Sequence, residues 1–267
     1  MNDFVFRDAT TIKLLICEPL ERAGFTHAFT TRLGGVSPLP DAALNLGNFN
    51  QDSADNIHEN RRRLLDALNI SDWPLVTAKQ IHSADVTLVN KAQDEPTTCD
   101  ALTTDLPQTM LAIQTADCMP ILLGDQRTRA VAAVHAGWRG TLAGIVARTL
   151  ESMQHAYGTR SADVIAAFGP TIQAPNFEVG PEVIAQFESA FEFAPQAVSQ
   201  RKPTGQAHLD LAFINRQLLQ NAGVPSSQIF DCGLCTVERN DLFFSYRKEG
   251  GAEQPVGRLM GVIGRNG

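Results

Sequence analysis

The sequence predicts an α/β fold: a single-domain layered sandwich with mixed β-sheets flanked by helices. Three observations lead there. Extended apolar segments come in adjacent pairs, such as Met119–Leu123 and Ala130–His135, which breaks the strict strand–helix alternation of a doubly wound fold. Helical periodicity is confined to separate stretches between them. The chain has 267 residues, 43% apolar and 19% charged, which is enough for one full hydrophobic core and too apolar for disorder.

In chain order, β-branched and apolar residues predict strands at His27–Thr31, Val86–Val89, Met110–Thr115, Met119–Leu123, Ala130–His135, Val164–Phe168 and Arg258–Ile263. Gly124-Asp125 predicts the turn between the fourth and fifth of these. Helices are predicted from about Ser53 to Leu68, after the cap residues Asp52 and Ser53, and at Thr141–Tyr157, Pro181–Phe191 and Asp210–Ala222. Pro38–Asp41 and Gln93–Thr98 read as surface loops, too short for interdomain linkers, so one domain is expected over residues 1–267. No repeat, low-complexity tract or heptad pattern interrupts it.

Twenty-two basic against twenty-nine acidic residues give a net charge of −7, which disfavours nucleic acid and anionic membrane as partners. An anionic substrate then needs local arginines. The N-terminus lacks a basic segment leading into an apolar one, and charged residues break the apolar region from Met110 to Val146. Neither a signal peptide nor a membrane span is expected, and the location expected is cytoplasmic. Five cysteines, an odd number, argue against a disulfide framework and for thiol or metal chemistry.

The densest signal is TADCMPILLGDQRTRAVAAVHAGWRG. Asp117-Cys118 interrupts one apolar strand, and His135 closes the next just before Gly137-Trp138-Arg139-Gly140. Polar groups where a strand gives way to a loop commonly line a site. His82, in KQIHSADV, stands in the same position upstream. Two imidazoles and a thiolate suit zinc or copper, and three protein ligands leave a position open. The separations of 36 and 17 residues match no short zinc motif, so on pattern alone a structural Cys or His is the commoner reading.

The segments FTTRLGGVS, LNLG, KQIHSADV, TADCMPILL, VHAGWRGTLAGI, FGP, FEVG and CT followed by FFSYR occur together and in order across nearly the whole chain. This ordered set resembles the laccase-domain family, also called YfiH/YlmD-like. The resemblance implies an α/β layered sandwich classed with cysteine hydrolases and a metal held by His82, Cys118 and His135. It implies purine nucleoside phosphorylase activity, in which adenosine, inosine, guanosine or methylthioadenosine and phosphate give free base and a ribose 1-phosphate, with adenosine deamination alongside. It also brings the family's other labels, peptidoglycan editing factor and polyphenol oxidase. The six histidines contain no His-X-His pair, which argues against a multicopper cluster, though a single copper remains compatible. His82 is followed by Ser83-Ala84 and Cys232-Gly-Leu-Cys235 lacks a preceding proline, so the zinc base-deaminase signature is absent.

Arg32, Arg139 and Arg247 lie in matching segments and are candidates for phosphate; each is as readily a structural or solvated side chain. Asp117 is a candidate for orienting a histidine or moving a proton, and a turn role competes. Gly34-Gly35 and Gly137 are read as turn glycines. Cys235 is expected as a packed thiol near the site, His27 as a residue that could face the pocket, and Trp138 as a core aromatic that could instead stack on a purine. Gln173–Asn176 lacks the cysteine pair that many relatives carry there, which touches no proposed ligand. Three hypotheses follow: metal-dependent phosphorolysis of purine nucleosides; a cysteine hydrolase with Cys118 as nucleophile and His135 or His82 as base; and a nonenzymatic metal or redox sensor. Small molecules are the expected partners, zinc or copper the expected cofactor, and a homodimer the assembly considered.

Overall fold

The computed structural model describes residues 3–39, 42–47, 52–91, 96–251 and 253–267. Pro40-Asp41 and Gln93–Glu95, within the two predicted loops, lie outside the described residues. Two mixed sheets stack face to face. The first runs Phe4–Ala9, Ile12–Cys17, Phe25–Thr30, Leu259–Arg265, Met110–Thr115, Leu75–Lys79, Thr97–Thr98. The second runs Ile229–Asp231, Val164–Phe168, Met119–Asp125, Val131–Ala136, Ala101–Thr104, Val86–Leu88. Parallel pairs occur at one end of the first sheet and at both ends of the second, and the remaining pairs are antiparallel.

Phe29, Leu111, Ile113 and Ile263 of the first sheet meet Leu122, Val131, Ala133 and Ile165 of the second in one buried core. Because side chains alternate along a strand, Met119, Ile121 and Leu123 point the opposite way. They pack on Ile145, Val146, Leu150 and Met153 of the helix Ile145–Tyr157 and on Ala212 and Leu219 of the helix Leu211–Asn221. The outer face of the first sheet, with Ile12, Leu14, Met260 and Val262, packs on Ile70, Trp73 and Leu64, the last from the helix Ala54–Ala67. The layers are therefore helix, sheet, sheet, helix. Met119–Asp125 is buried at every position because both its faces are covered, which is why it reads as a continuous apolar run. A third sheet, Glu178–Val179, Ala207–Leu209 and Val198–Ser199, packs with the helix Pro181–Ala190 beside Trp138 and Leu142.

Two local expectations change, and one hairpin was not expected. The predicted helix Thr141–Tyr157 is two helices, Trp138–Leu142 and Ile145–Tyr157, broken where Gly144 takes φ +74°. The turn predicted at Gly124-Asp125 falls at residues 126–128, and Asp125 closes it by accepting from the Arg127 and Thr128 N–H groups. The hairpin Phe4–Ala9/Ile12–Cys17 turns through Thr10-Thr11, with Thr10 at φ +56°, and so lacks the Asn-Gly signal that announces such turns. Among the described residues no helix is long and apolar enough to cross a membrane.

Candidate active site and metal centre

Strand register explains how residues 17 apart in sequence become neighbours. Met119–Asp125 and Val131–Ala136 are antiparallel, with Met119 opposite Ala136 and Pro120 opposite His135. Continuing that ladder by one residue sets Cys118 against Gly137. A Cβ on Gly137 would stand 3.0 Å from the Cys118 sulfur and 3.1 Å from His82 Cδ2, so glycine is what lets the thiol and the imidazole approach there.

His82 comes from the loop after Leu75–Lys79 and takes φ +62°, a conformation that needs support from outside the residue. Asp100 supplies it. This carboxylate is fully buried and accepts from the N–H groups of Ile81 (3.2 Å), His82 (3.0 Å) and Ser83 (2.6 Å) and from the Ser83 hydroxyl (2.9 Å). It also accepts from His135 Nδ1 at 2.8 Å. Burial alone would raise the Asp100 pKa, but the bonds from His135 and Ser83 reverse that and hold it at about 2.

His82, Cys118 and His135 thus place one donor atom each within 4.8 Å of one another, the group of three or more such side chains found among the described residues. His82 Nε2 stands 3.8 Å from the Cys118 sulfur, and the two imidazoles meet edge to face with centroids 4.8 Å apart. A tetrahedral zinc ion sets its nitrogen and sulfur donors about 3.5 Å apart. Two imidazoles and a thiolate at this spacing fit zinc or copper in chemistry and in size. Burial opposes ionisation of Cys118, yet the two histidines hold its pKa below the ordinary thiol range. Burial also opposes charging of His135, yet Cys118 and Asp100 raise its pKa.

The three donors open into a cavity of about 1070 Å³. Arg139 and Arg247 line it, and so do Lys79 and Arg258, which sequence reasoning did not single out. Among the described residues Asp117 is the one carboxylate there. Arg258 spends Nη1 on the Val256 and Gly257 carbonyls and has no carboxylate partner among the described residues; burial lowers its pKa, the mark of a cation short of water. Arg247 lies over Phe177 and donates to the Asn176 and Glu178 carbonyls, while Arg139 stacks on Trp138. Trp138, Ile172 and Phe177 form an apolar wall.

Other expectations are corrected. Arg32 does not line this cavity: it is buried against Glu249, donates to the Asn240 carbonyl and lies over Phe244, so its fork is committed to structure. Asp117 orients neither histidine, because its oxygens accept from Thr236 Oγ1 (2.5 Å) and the Arg247 N–H (2.7 Å) at φ +86°. The residue that does hold a histidine is Asp100, one position after Cys99, and its sequence context carried no signal. His27 faces a separate cavity, bonded to Cys17 and Phe25. Cys235 is a buried thiol that accepts from the Gln173 N–H and Asn176 Nδ2 groups, beside the Asp117 loop through Thr171.

Residues 26–266 match a family model described as multi-copper polyphenol oxidoreductase laccase. A purine nucleoside phosphorylase from Deinococcus radiodurans is 41% identical over 249 residues, 92% of each chain. A protein named adenosine deaminase RL5, from an unknown prokaryotic organism, is 34% identical over 84% of this chain and 89% of its own. The crystal structure of YlmD from Geobacillus stearothermophilus superposes with a TM-score of 0.89 at 33% identity, covering 100% of both chains.

Proposed function

The chain belongs to the multi-copper polyphenol oxidoreductase laccase family, and from that premise we propose that it is a metal-dependent purine nucleoside phosphorylase, carried by one domain spanning residues 1–267. Relatives named for phosphorolysis and for adenosine deamination support a nucleoside-processing enzyme. The observation that carries the finer reading is the charge of the cavity. In a protein of net charge −7, Lys79, Arg139, Arg247 and Arg258 face one space with Asp117 as the opposing acid, and Asp117 is already engaged. Such a space selects an anion, and inorganic phosphate is the anion that phosphorolysis needs.

His82, Cys118 and His135 would hold zinc, or copper in its place. When bound, the ion supplies a Lewis acid that neutralises developing charge on an oxygen. The side chains do the rest. Arg258 and Arg247 hold the phosphate dianion, and their fixed donors cost no reorganisation as the reaction proceeds. Trp138, Ile172 and Phe177 cover an apolar purine face. An oxygen of the hydrogen phosphate dianion forms the new bond to the ribose anomeric carbon as the glycosidic bond to nitrogen breaks; the purine leaves with that electron pair and takes up the proton that the hydrogen phosphate gives up, leaving ribose 1-phosphate as its dianion. Adenosine, inosine, guanosine and methylthioadenosine share this bond, and adenosine deamination is proposed as a side activity. The test is release of hypoxanthine from inosine by metal-replete protein with and without phosphate. Release that ignores phosphate sinks phosphorolysis.

A second reading has its own observation. Cys118, His135 and Asp100 also form the order thiol, imidazole, carboxylate. A thiolate attack on an amide carbonyl, with His135 passing a proton to the leaving amine and water later releasing the acyl group, would suit peptidoglycan editing. Full hydrolysis of such an amide by chelator-treated protein would favour it.

A further inference from the structure

We infer that Asp100 is the positioning residue that sets both histidines of the site at once, and this rests on the metal reading above. Its two oxygens take five donors. Oδ1 is shared between the His135 ring and the His82 backbone, and Oδ2 takes Ile81, Ser83 and the Ser83 hydroxyl. The main chain repeats the link, since the His135 N–H donates to the Asp100 carbonyl at 2.8 Å.

Each bond has a consequence for the donor atoms. Accepting from Nδ1 fixes His135 with its proton on that nitrogen, so Nε2 presents its lone pair toward Cys118. Gathering three successive N–H groups onto one carboxylate holds the loop in the left-handed turn that φ +62° at His82 requires. From the other side Gly140 presses on this loop, where an added Cβ would lie 2.9 Å from the Ser83 carbonyl. A carboxylate serving a Cys–His pair alone would need only the His135 bond. Here the same group also grips the second imidazole's backbone, which is what a shared ion requires.

Asparagine cannot replace it. An amide has one acceptor oxygen and one donor NH₂, so whichever way it turns, N–H faces N–H on one side. The experiment measures zinc affinity of the full chain against a chromophoric chelator for wild type, D100N and S83A. D100N is expected to lose 10–100-fold in zinc affinity, about the loss such outer partners carry. S83A, which removes one neutral donor of the five, is expected to change it by about fivefold or less. In the cobalt-substituted protein the visible bands of D100N shift, a change that a carboxylate serving only the scaffold would not cause. Wild-type zinc affinity and an unshifted cobalt spectrum in D100N overturn the assignment to Asp100 alone. Wild type that takes up neither zinc nor cobalt overturns the metal reading and this inference with it. If D100N does not fold, nitrogen-15 histidine spectra of zinc-loaded wild type decide: a proton on His135 Nδ1 supports the inference, and one on Nε2 overturns it.

Discussion

His27 and His135 are both 3% exposed and both sit in central strands, one in each stacked sheet. Their chemistry is opposite. Among the described residues both hydrogen-bond partners of His27 are neutral, the Cys17 N–H on Nε2 and the Phe25 carbonyl on Nδ1, and burial pushes its pKa down to about 4. His135 meets the same burial, but a thiol on one side and a carboxylate on the other raise its pKa. Burial is common to both, so it does not mark the site. What distinguishes His135 is the ionisable partner on each ring nitrogen, and a histidine with neutral partners on both is core packing.

The largest expected effect breaks this contrast at its active end. H135Q should lose bound zinc and cut inosine phosphorolysis by about 100-fold, roughly 3 kcal/mol of transition-state stabilisation. H27Q should retain both and instead lower unfolding free energy by about 1–3 kcal/mol, read from urea titrations. If H27Q also abolishes metal uptake, the two histidines are not separable in this way.

The second effect is on pH. His27 is neutral when folded and has the lower pKa there, so the unfolded chain binds more protons between about pH 6.5 and 4. Its stabilisation is complete above pH 6.5 and disappears as pH falls toward about 4, a loss of about 3 kcal/mol. Metal-free wild type and H27Q compared by urea unfolding at pH 7.5 and 4.5 should show this difference in slope. Parallel pH curves would place the acid sensitivity elsewhere.

The arginines repeat the contrast on a smaller scale. Arg258 faces the cavity with no carboxylate at ion-pair distance among the described residues, whereas Arg32 is tied to Glu249. R258M should raise KM for phosphate about 10–100-fold while inosine KM moves little. R32M should leave phosphate KM alone and lower the melting temperature. Equal phosphate KM values in R258M and wild type would remove Arg258 from the substrate path. The smallest effect belongs to G137A, whose methyl group presses on Cys118 and His82. Zinc affinity should weaken by about threefold to tenfold, measured by chelator competition.

How much of this was legible in the sequence follows from the same partners. The pairing of Cys118 with His135 could be read, because two adjacent apolar runs joined by a short turn must return antiparallel. The sandwich followed from such pairs. His82 stood out as a polar group beside an extended segment, but only the ordered family segments tied it to the other two, since the bonds that bring it in come from Asp100, a long-range contact with no spacing signature. Arg32 and Arg247 looked alike in sequence and differ only because Glu249 folds back onto one of them. The first hairpin escaped because its turn is Thr10-Thr11, and the helix break escaped because a single glycine in a periodic run does not say whether it will bend.

The register of the Met119–Ala136 hairpin also governs how this site tolerates insertions. Residues added at the turn of residues 126–128 lengthen the gap between Cys118 and His135 without changing which rungs face each other. One residue added within either strand shifts every rung beyond it and turns alternate side chains to the other face, which would carry the thiol or the imidazole away. The distance between the thiol and the imidazole in sequence can therefore change while the two stay in contact in space. A search for such sites in other chains does better to follow strand pairing than a fixed count of intervening residues.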